Sequence, residues 1–157
     1  MIDLGVHLAD LALWMLDFPA VEAVASRLYA GGQPLSPGSS EVEDYAVARL
    51  DLAGGTNVRL ACSWRLHAGQ EAVIEASFYG TGGAVTLRNV GGSFYDFEAH
   101  HHYGTQSERL VSPPDAWGGR AGAAWARALA ENPRFDPAAD RFPEVAGVLD
   151  RIYASAG

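Results

Sequence analysis

The chain has 157 residues, of which 48% are hydrophobic, and it carries a formal net charge of −8. This length and composition predict a globular protein with a buried core and exclude a disordered chain. Because no cluster of arginine gives the acidic chain a basic surface, and no apolar run is long enough to span a bilayer, we expect neither nucleic acid nor a membrane as a partner.

The first half of the chain is predicted to contain a helix followed by three strands. The helix covers residues 3–17 and the first strand residues 20–29, after which the Gly/Pro/Ser-rich residues 31–41 form a loop. Two further strands flank the Gly54-Gly55 turn and predict a hairpin. The second of them alternates through to residue 66, with one side formed by Val58, Leu60, Cys62, Trp64 and Leu66.

The second half is predicted to continue with strands and to end in two helices. Strands are predicted at residues 71–80, 84–89, 93–102 and 107–112, and helices at residues 116–132 and 140–155. Asp140 is the expected N-cap of the last helix. Consecutive strands with short turns, and helices at the ends, predict an α+β fold. We expect one domain over residues 1–157: an open, mostly antiparallel sheet with helices packed on one face.

The first helix places polar residues on an otherwise apolar surface. At about 100° per residue, Asp3, His7, Asp10 and Trp14 fall within one narrow stripe. A histidine can pass a proton near neutral pH, and a carboxylate one turn away can orient its ring. Alternatively, Asp3 is an N-cap and His7 a core histidine that is hydrogen-bonded to Asp10 or to a carbonyl. Gly5 would let another backbone or a substrate approach closely.

Three stretches resemble the C-terminal domain of the Gfo/Idh/MocA oxidoreductases. The opening "IDLGVHLADLALWML" is similar to the family's Asp-x-Gly-x-His-x-x-Asp helix, with Asp3, Gly5, His7 and Asp10 at the motif positions. The turn "ASFYGTGGAVTL" resembles the family's strand–Gly-Thr-x-Gly–strand segment. Residues 125–156 resemble its closing pair of helices, which ends in an aromatic-x-Ser-Ala sequence.

The resemblance implies a catalytic role for two residues of the first helix. His7 would be the acid/base that contacts the reacting hydroxyl, Asp3 would support it, and Asp10 would be structural. The substrate, a sugar, polyol or cyclitol, would lie between this domain and an N-terminal Rossmann domain that binds NAD or NADP. The resemblance also implies a homo-oligomer, such as a dimer, formed through the sheet face.

The residues that would bind the cofactor are missing from this sequence. No Gly-rich loop lies between a strand and a helix, since "GTGG" connects two strands, and the lysine of the family's Glu-Lys-Pro motif has no counterpart because all 11 basic residues are arginine. We therefore interpret the chain as a C-terminal fragment of a larger enzyme. We expect it to bind no cofactor and to have no dehydrogenase activity on its own.

Two further features bear on the setting and on alternative sites. The single cysteine, Cys62, cannot form an internal disulfide and favours a reducing, cytoplasmic location. His100 and His102 would share one face of a strand and could chelate a metal, but no third ligand lies nearby in sequence, so we predict no metal site. A solvated strand end or a substrate contact are the alternatives for these histidines.

The sequence leaves a second function open. A non-catalytic sheet domain that associates with itself or binds a small molecule would also explain the strands at residues 45–66, because their two ordered faces both need cover. The two functions differ on whether His7 faces a cleft or is sealed in the core.

Overall fold

The structure is a computed structural model that describes residues 1–134 and 136–156. The chain divides into two compact units. The first contains residues 1–66 and 136–156, and the second contains residues 67–134. Each unit is built around its own four-stranded antiparallel sheet. The predicted α+β class with antiparallel strands is therefore confirmed, with the strands divided between two sheets.

The first unit combines a sheet with two α-helices. Its strand order is β2-β1-β3-β4, and all three neighbouring pairs are antiparallel. The elements are α1 (Gly5–Met15), β1 (Val21–Ala30), β2 (Gln33–Pro34), β3 (Tyr45–Leu52), β4 (Asn57–Ser63), a 3-10 helix (Pro137–Arg141) and α3 (Phe142–Ala154).

Both helices of this unit pack on one face of the first sheet. α1 contacts α3 and β4, and α3 also contacts β1. The burial of residues alternates along β3, as expected for a strand with one face packed on the core. Its even-numbered residues are buried, whereas Arg49 on the opposite face is exposed. The core consists of side chains from the sheet and both helices, including Ala9, Leu13, Leu28, Ala46, Ala48, Leu50, Leu52, Leu60, Val145, Val148, Leu149 and Ile152.

The second unit is a four-stranded meander followed by a helix. Its sheet order is β5-β6-β7-β8, so each strand pairs with its neighbour in sequence. The elements are β5 (Glu75–Gly80), β6 (Gly83–Asn89), β7 (Phe97–Tyr103), β8 (Gln106–Val111) and α2 (Arg120–Glu131). Before α2, the Trp117 indole N–H donates to the Tyr95 carbonyl at 2.6 Å, and the ring meets Phe97 edge-on.

Several details of the predicted elements are wrong. The short strand β2 lies within the predicted loop of residues 31–41, and β5 and β7 each begin four residues later than predicted. Strand β4 ends at Ser63, so Trp64 and Leu66 do not continue its inward side and are 66% and 63% exposed. Asp140 is not a helix N-cap, because it lies within the 3-10 helix; Asp136 caps that helix instead and accepts a hydrogen bond from the Ala138 N–H at 2.9 Å. No helix in the described ranges is long and apolar enough to cross a membrane.

Candidate functional site

The predicted stripe of α1 is a solvent-exposed face of the first unit. Asp3, His7, Asp10 and Trp14 are all exposed, whereas the opposite side of the helix is buried through Gly5, Ala9, Ala12 and Leu13. The alternative that seals His7 in the core is therefore wrong. The polar residues of α1 therefore lie on the side of the helix that no other described element covers.

The expected hydrogen bond between the two candidate catalytic residues is not formed. Within residues 1–134 and 136–156, neither the Asp3 carboxylate nor the His7 imidazole has a hydrogen-bond partner among protein side chains or backbone. The N-cap position of α1 belongs to Leu4, which caps with no side-chain hydrogen bond, so Asp3 is not the N-cap. Both residues are thus free to meet a substrate or another part of a larger protein.

Gly5 makes room for the Met1 side chain. A Cβ atom at this position would collide with the sulfur of Met1 and with the two carbons bonded to it, and the Gly5 N–H donates to the Met1 carbonyl at 2.7 Å. The close neighbour of this glycine is therefore a side chain of the preceding turn, and not a backbone segment or a substrate. The Met1 sulfur also accepts from the Cys62 thiol at 3.3 Å, where burial raises the pKa of that thiol.

A partly buried hydrogen-bond network holds the segment that leads into α1. The Tyr153 hydroxyl donates to Glu43 Oε1 at 2.5 Å and accepts from the Ile2 N–H at 3.2 Å. In the 157-residue chain, the same carboxylate oxygen also binds the Met1 ammonium. Burial alone would raise the pKa of Glu43, but the hydrogen bonds from Met1 and Tyr153 outweigh it and lower that pKa. Burial and the bond to Glu43 raise the pKa of Tyr153 to about 12.

The predicted aromatic-x-Ser-Ala ending of α3 accounts for this network and for a second one. Tyr153 belongs to the first network, and Ser155 forms the second. The Ser155 hydroxyl lies 2.9 Å from the hydroxyl of the buried Ser26 in β1, and Ser26 donates to the Ile152 carbonyl at 2.6 Å. Ala156 is fully buried and forms an isolated parallel bridge with Ser26. The ending therefore fastens α3 to β1 and to the start of α1.

Replacing Tyr153 with phenylalanine should lower the free energy of unfolding by about 1–2 kcal/mol, because the buried Glu43 loses a hydrogen bond. The hydroxyl also makes stability depend on alkaline pH. Since the folded pKa of about 12 exceeds the ordinary value of 10.0, its contribution is complete below pH 10 and is lost as the pH rises towards 12. Urea unfolding across this range should show a smaller decline for Y153F than for wild type. Tyr45→Phe is the control, and an equal decline in Y153F would contradict the assignment.

The histidines of β7 lie on two faces of the second sheet. His100 and His102 share one face, with parallel rings whose centroids are 6.0 Å apart, whereas His101 lies on the other face against Tyr103. The His102 Nε2 lies 2.9 Å from Thr86 Oγ1. No group of three or more metal-ligating side chains is found in the part of the chain that the structure describes.

The described residues do not fit a dinucleotide. Dinucleotides bind where a Gly-rich turn connects a strand to a helix in a parallel sheet. Here the Gly80-Thr81-Gly82-Gly83 turn joins two antiparallel strands, and in both sheets the described strands pair antiparallel. Within residues 1–134 and 136–156, the geometry therefore supplies an exposed histidine on the same stripe as two carboxylates, but no cradle for a dinucleotide.

Comparison with known proteins identifies the family of the chain. Residues 1–86, more than half of the chain, match the family model of the GFO/IDH/MocA C-terminal domain. The chain therefore belongs to this family and contains the C-terminal domain of a Gfo/Idh/MocA oxidoreductase-family protein. It is 28% identical over 96 residues to D-glucoside 3-dehydrogenase of Escherichia coli (strain K12), a match that covers 55% of this chain and 27% of that relative.

Proposed function

We propose that the chain is the substrate-binding C-terminal part of an NAD(P)-dependent oxidoreductase that acts on a hydroxyl of a sugar, polyol or cyclitol. The observation that carries the proposal is the exposed His7, which lies on a helix within the residues that match the family model. The relative that acts on D-glucosides supports a sugar as the substrate class. We also propose that the protein is located in the cytoplasm, because a single cysteine is typical of a reducing compartment.

In this proposal, His7 moves the proton of the reacting hydroxyl. Its imidazole accepts that proton when the alcohol is oxidised and returns it in the reverse direction, as a positioned histidine can near neutral pH. Asp3 lies one helical turn earlier and would orient the ring once the site is assembled. NAD or NADP would be bound by another part of the parent protein and would supply the hydride chemistry.

The proposal is tested by the reading frame that contains this chain. The DNA upstream of the Met1 codon should encode a Gly-rich βαβ segment in frame. Purified full-length protein should reduce NAD⁺ or NADP⁺ with a glycoside, polyol or cyclitol, and the 157-residue chain alone should not. A stop codon and a ribosome-binding site directly before Met1, or turnover by the chain alone, would contradict the proposal.

A second candidate function, self-association through a sheet face, is favoured by the outer face of the first sheet. This face is a shallow concavity of about 570 Å³ that includes Arg27, Val47, Arg49, Arg59 and Ala61. Arg49 and Arg59 are directly opposite each other, and like charges at such positions are unfavourable without a counter-charge. Arg49 is paired with Asp51 at 2.9 Å, whereas among the described residues Arg59 forms no salt bridge, so a carboxylate of a second copy would stabilise Arg59. We expect sedimentation to show a dimer that Arg59→Glu dissociates; a monomer at all concentrations would contradict it.

A further inference from the structure

We propose that one face of the second sheet binds a neutral, polyhydroxylated small molecule of the saccharide class. Directly opposite residues of antiparallel strands share a face, so the register defines this surface, here called the polar face. Three rows of paired positions form it: Glu75, Arg88 and Glu98; Ser77, Thr86, His100 and Arg109; and Tyr79, Ala84, His102 and Ser107.

The polar face differs sharply from the other side of the same sheet. The opposite face carries mainly apolar side chains, including Ala76, Phe78, Val85, Leu87, Ala99 and Val111. A cleft of about 430 Å³ opens on the polar face, and its lining includes Glu75, Ser77, Thr86, His100, His102 and Ser107. This volume is within the range of small-molecule sites, which use a few convergent polar groups for specificity.

One atom in the cleft is buried without a hydrogen-bond partner. His100 Nε2 has none among the described residues, and the nearest acidic oxygen, Glu98 Oε2, is 3.6 Å away, beyond hydrogen-bond distance. Arg88 donates to the other carboxylate oxygen, Glu98 Oε1, at 2.6 Å, and this bond, with a smaller contribution from His100, lowers the pKa of Glu98. Since buried polar atoms normally have partners, this nitrogen is open to a hydrogen bond from a ligand.

The chemistry of the lining selects the ligand class. The hydroxyls of Ser77, Thr86 and Ser107 can each donate and accept, whereas the Glu75 carboxylate can only accept. An anionic ligand would meet Glu75 and Glu98, and a cationic ligand would meet Arg88. A ligand whose several hydroxyls both donate and accept satisfies all of these groups without a net charge. Tyr79, 81% exposed beside the small Ala84 in the same row, offers an aromatic face for a sugar ring.

Saccharide binding by the polar face does not depend on the proposed dehydrogenase function. All residues of the polar face lie between positions 75 and 109, and the family match ends at residue 86, so β7 and β8 lie beyond it. Binding can be measured on this chain without turnover. A failure of binding therefore leaves the test of the proposed function unaffected, and the reverse also holds.

The test is a titration of the ¹⁵N-labelled chain with methyl β-D-glucopyranoside, followed by amide chemical shifts. Glucuronate and glucosamine are titrated in parallel as the anionic and cationic counterparts. We expect saturable binding of the neutral glycoside with a dissociation constant of about 1 mM, with the shifts confined to β5–β8. His100→Ala and the isosteric Thr86→Val should each weaken it about fivefold or more.

The matched control is His101→Ala, which removes an imidazole from the same strand but from the opposite face. It should bind the glycoside as wild type does. The proposal is overturned if the neutral glycoside shows no saturation, if glucuronate or glucosamine binds more tightly, or if His101→Ala weakens binding as much as His100→Ala. Thr86→Val keeps the proposal testable if His100→Ala does not fold.

Discussion

Replacing His7 with glutamine in the full-length parent should lower kcat by a factor of about 10²–10⁴, the usual contribution of a positioned acid/base. Glutamine has a similar size and can still hydrogen-bond to a hydroxyl, but it cannot take up a proton. Because binding is largely retained and proton transfer is lost, kcat should fall much more than KM changes. Steady-state kinetics with the oxidised cofactor and the preferred alcohol measure both constants.

The controls for this prediction lie on the same exposed stripe of α1. Asp10→Asn should leave kcat within about threefold of wild type, because Asp10 has no proposed part in proton transfer and substitutions of exposed residues usually have small effects. The kcat of Asp3→Asn should lie between those of His7→Gln and Asp10→Asn, since an orienting partner contributes less than the group that moves the proton. A His7→Gln variant that keeps more than half of the wild-type kcat would remove His7 from the mechanism.

Replacing Leu50 with alanine should lower the free energy of unfolding by about 2–5 kcal/mol, as for other fully buried leucines. Leu50 lies in β3, is 0% exposed, and belongs to the core cluster that also contains residues of α1 and α3. The removed atoms leave a cavity that the two helices and the sheet cannot close completely. Urea unfolding followed by circular dichroism measures the loss.

Leu66→Ala is the matched control for that measurement. It makes the same change in side chain at a position that is 63% exposed in the same unit, and we expect a change within about 0.5 kcal/mol. If the two variants lost equal stability, the structure's division between core and surface in the first unit would be wrong. A much larger loss in Leu50→Ala would support it.

Periodicity in the sequence predicts part of the first unit. The helical spacing near the end of the chain predicts an apolar stripe on the last helix, of which Val145, Leu149 and Ile152 are buried whereas Phe142 is 68% exposed. The motif helix was predicted for the same region in which α1 forms, because its apolar residues have helical spacing. These local patterns depend on neighbouring residues, which is why a single sequence reveals them.

Other features of the fold and the site depend on contacts with residues distant in sequence, which periodicity does not indicate. The pattern through Trp64 and Leu66 continues past the end of β4, because alternation alone does not show where strand pairing stops. The exposure of His7 follows from which side of α1 packs on the sheet, and a helix that is apolar nearly all round gives no such direction. The Glu43–Tyr153 bond joins residues 110 positions apart, and no local signal predicts it.

Strand β8 forms one edge of the second sheet, and its composition bears on aggregation. Its row of unpaired backbone groups could template a fifth strand from another copy of the chain. Glu108 and Arg109, adjacent in sequence and both exposed, put charges of opposite sign on opposite faces of this edge strand. Suppose that β8 of a second copy paired with this edge in an antiparallel register centred on these residues. The two Glu108 side chains would then be close together on one face, and the two Arg109 side chains on the other. The edge is therefore protected against runaway strand addition, and the chain should resist fibril formation during refolding at high concentration.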